Sequence, residues 1–111
     1  MQPHPRRVTA ADRARWRATL HTTYDLINAG KYAQARAFME RLVAEVEGAL
    51  GWEAEELVRP LRLLASSLRR AGLLDDAYTI MMRALMLSKK HHGKEGLVTC
   101  RMRAVMGEPL C

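Results

Sequence analysis

Residues Gly72–Leu85 of this chain, GLLDDAYTIMMRAL, repeat an earlier stretch, Gly30–Leu42, GKYAQARAFMERL, at a constant shift of forty-two residues. Ala77 falls on Ala35, Met81 on Met39 and Arg83 on Arg41. At the same shift Leu68 falls on Leu26, Ala71 on Ala29, Gly93 on Gly51 and Glu95 on Glu53. A fixed period of this length is the mark of supersecondary units that bury their apolar faces by stacking on one another. The chain is therefore expected to be built from two similar units, residues 9–50 and 51–92.

Those units are helical hairpins. The apolar residues are mainly Leu, Ala and Met, which favour helices, and aromatics make up only 5 % of the chain. Thr9 and Asp12 have the spacing of a capping box, and Trp16, Leu20, Thr23 and Ile27 follow on one helical stripe. Gly30 ends that helix. A second helix is predicted over about Ala33–Glu47, burying Ala35, Met39, Leu42, Val43 and Val46, with the chain loosening from Gly48 to Gly51. The third is expected to begin near Glu53 and to bury Leu57, Leu61, Leu64 and Leu68. Pro60 lies inside that span, and because proline removes one backbone donor and crowds the preceding turn, either the helix bends there or it properly starts only around Leu57 to Arg59; a continuous but bent helix is the favoured expectation. The fourth runs from Asp75, its expected cap, to about Lys90, with Ala77, Met81, Ala84 and Leu85 inward. A fifth, about 94–106, caps the array. Residues 1–8 read as a disordered lead-in and 107–111 as a tail.

The pattern Ala29-Gly30, Tyr32, Ala35, repeated as Ala71-Gly72, Leu74, Ala77, resembles the tetratricopeptide repeat, in the 42-residue form found in kinesin light chains and many bacterial proteins. Leu61, Leu64, Ala65 and Leu68 fall at the family's first-helix core positions, and Gly51 and Gly93 at the glycine ending its second helix. The likeness spans about residues 16–106. It implies an all-α helix-turn-helix solenoid of two hairpins plus a capping helix. The chain departs from the family at Thr22 and Thr23, where a large apolar and a small residue are usual. It departs again after Gly51, where acidic residues replace the usual His-Pro step and the proline is displaced to Pro60.

In such proteins the first helices of successive repeats line a concave groove that holds a partner's peptide. Carried over by position, Arg17, Tyr24, Asn28, Arg59, Arg62, Ser66, Arg69 and Arg70 face that groove. Arginines there make bidentate, charge-assisted bonds to carboxylates, so an acidic or mixed peptide segment is the expected ligand. The family's asparagine-rich clamp is absent beyond Asn28.

Two further features bear on partners. Tyr78, Met82 and Met86 put a second apolar stripe on the fourth helix, suited either to covering by a neighbouring helix or to an adaptable contact surface; self-association as a dimer is expected through it. The net charge of +6, carried by fourteen arginines against four lysines, also admits nucleic acid. Against that, residues 40–56 hold six acidic side chains and one basic, and no aromatics interleave the arginines for base stacking. A self-assembling structural module is the third reading.

The remaining sequence features exclude more than they indicate. No phosphate loop, nucleophile elbow or HExxH motif is present, so a non-enzymatic protein without cofactor is expected. His91, His92 and Cys100 match no standard zinc spacing, and no metal site is expected. Cys100 and Cys111 form no CxxC pair, no apolar run is long enough to span a bilayer, and no apolar signal core follows Met1–Arg7. A cytoplasmic adaptor or scaffold is the expectation these features leave.

Overall fold

The computed structural model describes residues 8–93 together with Gly96 and Thr99. These residues hold four α-helices and no strand: α1 (Ala10–Asn28), α2 (Tyr32–Leu50), α3 (Val58–Arg70) and α4 (Leu74–His92), with a short 3-10 turn, Glu55–Leu57, before α3. Apart from Gly96 and Thr99, the expected fifth helix over 94–106, the tail and residues 1–7 lie outside the described residues. Val8, assigned above to a disordered lead-in, is half-buried against the core.

Thr9 starts α1 through a complete capping box. Its hydroxyl accepts from the Asp12 amide at 3.1 Å and its own amide donates to the Asp12 carboxylate at 3.0 Å. The helix ends where Gly30 turns left-handed at φ 78°. There the Lys31 amide donates to Leu26 O at 2.8 Å and the Gly30 amide to Ile27 O at 3.0 Å, the double closure of a Schellman turn. The end of α3 repeats this atom for atom, Leu73 to Leu68 O at 2.9 Å and Gly72 to Arg69 O at 3.0 Å. Both turns sit forty-two residues apart, and α2 and α4 begin and end at that same shift.

Several expectations need correction. α2 is longer than predicted: it starts at Tyr32 and continues through Gly48 to Leu50, with Ala49 buried, so the chain does not loosen until Gly51. Pro60 does not bend a helix, because α3 begins only at Val58 and Pro60 occupies the third helical position. A first-turn amide has no intrahelical acceptor to lose, so proline costs nothing there. Asp75 is not a cap. The position before α4 is Leu73, with no side-chain cap, and Asp75 and Asp76 lie in the first turn, where they complement the helix dipole.

The core follows the predicted stripes on α2 and α3. Ala35, Met39, Leu42, Val43 and Val46 are buried, as are Leu57, Leu61, Leu64 and Leu68. Leu20 and Met81 are only half-buried. The stripes understate α3, which also buries Val58, Pro60, Leu63, Ala65 and Ser67 because it packs between α2 and α4. On α4, Leu87 and Ser88 join the core, and the Ser88 hydroxyl meets that of Thr99 at 2.7 Å. The other buried hydroxyls bond to their own helices: Thr23 donates to Thr19 O at 2.8 Å and Ser67 to Leu63 O at 2.9 Å. A buried polar group satisfied this way adds no orphan to the interior.

An Arg-rimmed cleft between α1 and the start of α3

Spacings of three and four residues set Arg13, Trp16, Arg17 and Leu20 along one side of α1. Opposite them stand the 3-10 turn and the first residues of α3, and between the two lies a cleft of about 300 Å³. Its floor is apolar: Trp16, Leu20, Leu42, Val46, Val58 and Pro60. Its rim is charged and comes from three elements: Arg13 and Arg17 of α1, Glu55, Glu56, Arg59 and Arg62 around the start of α3, and His92 at the end of α4.

The rim charges divide into two groups. Glu56 accepts from Arg13 at 2.8 Å, and Glu55 meets His92 Nε2 at 3.1 Å, so both rim carboxylates are engaged. Arg17, Arg59 and Arg62 form no ion pair among the described residues. Beneath them, Trp16 is only 5 % exposed and its indole N–H is buried without an acceptor among the described residues. The other such atom is Arg83 Nε, on a guanidinium already held at its far end by Glu47 at 2.6 Å. Trp16 has no second polar atom to compensate.

Of the eight residues placed in a groove by position, the cleft brings together Arg17, Arg59 and Arg62. The other five do not line it. Tyr24 and Asn28 are exposed further along α1, Ser66 is half-buried, and Arg69 and Arg70 are exposed in the last turn of α3. Arg13, Glu55, Glu56 and His92 were missed as cleft residues. Nothing in a linear pattern pairs Glu55 with a histidine thirty-seven positions on.

The end of α4 is tied to the segment after α2. Lys90 pairs with the Glu53 carboxylate, and His91 Nε2 meets Glu53 O at 2.6 Å. The Lys90 ammonium, with His91 as a lesser contributor, holds the Glu53 carboxyl below its ordinary range. A second tie is made by Arg83, whose guanidinium stacks over the Trp52 ring at 4.2 Å and donates to Trp52 O at 3.3 Å. Across the first hairpin, Arg15 bonds both Glu45 and Asp12, and the hydrogen bond to Glu45 is the main cause holding its guanidinium above the usual range. The histidines considered above as metal ligands are thus engaged with Glu53 and Glu55; Cys100 lies outside the described residues. No group of three or more potential ligands converges among the described residues.

Tyr78, Met82 and Met86 are exposed, at 60 %, 38 % and 66 %, and Leu74 extends the patch at 63 %. The equivalent positions of α2 are handled differently: Arg36 donates to Glu40 at 2.5 Å across one turn. No known family model matches the chain, and no curated protein or solved structure shows significant similarity to it. Among the described residues no helix is long and apolar enough to cross a membrane.

Proposed function

We propose that this chain is a non-enzymatic interaction module of the tetratricopeptide-like kind, a short helical-repeat solenoid that takes an acidic or mixed segment of a partner protein into the cleft between α1 and α3 and associates with itself through α4. The observation that carries the binding reading is the state of the rim. Three guanidiniums, Arg17, Arg59 and Arg62, have no carboxylate among the described residues, while both acidic side chains beside them are already engaged. Unpaired guanidiniums over an apolar floor suit a ligand that carries carboxylates next to an apolar side chain. The identical bounds of α2 and α4 at a forty-two-residue shift, with matching Schellman turns, support the repeat architecture.

The test is fluorescence anisotropy of a labelled acidic peptide library against the wild type and the double variant Arg17→Glu/Arg62→Glu. The double variant should lose binding by at least tenfold. Unchanged binding by a folded double variant refutes the cleft as the site. Binding of a single-stranded oligonucleotide in place of peptide, with affinity falling steeply between low and high salt, would favour the nucleic-acid reading instead.

A further inference from the structure

The exposed side of α4 reads the same from either end. At about 100° per residue, Asp75, Tyr78, Met82, Met86 and Lys89 fall within roughly 40° of one line along the helix. Their spacings are three, four, four and three, symmetric about Met82. This line lies opposite the face that carries the buried Ala77, Ala84 and Leu87. All five residues on it are exposed. Neither Asp75 nor Lys89 makes an ion pair among the described residues, although the next residue, Lys90, is engaged by Glu53.

We propose that this face is a two-fold homodimer interface in which α4 packs antiparallel against α4 of a second copy, with Met82 on the axis. A symmetric interface sets residue i against j and j against i. A dyad at Met82 places Tyr78 against Met86 of the other copy, and Asp75 against Lys89. The charge pattern selects this occupant. In an antiparallel pair the acidic first turn of each α4 meets the basic last turn of the other, and the two helix dipoles oppose favourably. A parallel pair would set Asp75 on Asp75 and Lys89 on Lys89. The mixed three-four spacing is the seam of a shallow crossing, roughly 20°, which keeps the two helices in contact over all five residues. The methionines suit such a seam, since an unbranched side chain adapts to its own symmetry mate.

The contact is small. Leu74, Tyr78, Met82 and Met86 together offer roughly 500 Å² per copy, so pairing removes roughly 1,000 Å² in all, near the lower edge for a specific interface. The inference rests on the self-association part of the proposed function and is independent of the cleft.

The experiment is sedimentation velocity over a concentration series with the full chain, comparing wild type, Asp75→Lys, Lys89→Asp, the double swap, and an equimolar mixture of the two single variants. Each single swap sets like charges against each other twice per dimer and should weaken self-association roughly tenfold or more. The double swap should return it to near the wild-type value, and so should the mixture, whose heterodimer again pairs opposite charges. Circular dichroism confirms that each variant keeps its helix content, as substitutions at exposed positions should allow. If the singles dimerise like the wild type, or the double swap and mixture do not recover, the Met82 axis is overturned while self-association stands. A wild type that stays monomeric to several hundred micromolar (roughly) overturns both.

Discussion

Replacing Trp16 by phenylalanine separates what its indole N–H costs the fold from what its ring contributes to the core. Trp16 is nearly fully buried, and its N–H has no acceptor among the described residues. An unsatisfied buried donor costs about 1–3 kcal/mol, which Trp16→Phe removes. The same change deletes part of a ring, on the order of 40 Å³, and at about 24 cal/mol per Å³ the cavity costs about 1 kcal/mol, with a comparable loss of apolar transfer. The opposing effects nearly cancel. Stability should therefore change by less than about 1 kcal/mol, whereas Trp16→Ala should cost about 3–5 kcal/mol. Urea unfolding followed by circular dichroism measures both. A stability loss above about 2 kcal/mol would mean that the indole N–H is satisfied in solution.

Other predictions concern the frame around the cleft. Gly30→Ala and Gly72→Ala should each cost about 1–2 kcal/mol, and nearly equally, because a Cβ meets nothing within 4 Å at either site and only the left-handed backbone resists it; parallel urea titrations decide this. Thr9→Ala should lower stability by about 1 kcal/mol by opening the capping box, read as a fall in Tm of a few degrees. The Glu53 carboxyl is held below its ordinary range by Lys90, so their tie stabilises the fold above that range and is lost as pH falls through the depressed value. Tm measured against pH should show this acid loss, and Glu53→Gln should flatten it.

The parts of this fold legible in sequence were those set by short-range spacing. Thr9 and Asp12 are three residues apart and fix where α1 begins; Gly30 and Gly72 fix where α1 and α3 end. Pro60 was misread because its effect depends on which turn of a helix it occupies, and that depended on the Glu55–Leu57 turn, which has no periodic signature. The extra burial of Leu63 and Ser67 was missed because a single stripe assumes one neighbour, whereas α3 packs against both α2 and α4. For the cleft, helix periodicity placed Arg17, Arg59 and Arg62 on outward faces. It could not show that Tyr24, Asn28, Arg69 and Arg70 do not line the cleft. Which arginines lack a carboxylate depended on Glu56 reaching Arg13 forty-three residues away.

The way the elements touch also bears on how quickly the structure assembles. The main helix contacts join neighbours in sequence, α1 with α2, α2 with α3 and α3 with α4, and each hairpin turn closes through bonds only a few residues long. Few long chain loops have to be closed before a contact rewards them, which is the condition for fast folding, on the order of milliseconds or less. The ties that reach back from Arg83, Lys90, His91 and His92 span more than thirty residues and sit at the surface. They are suited to form last and to open first, so the α4 end of the cleft, where His92 stands, is where exchange of backbone amides should begin.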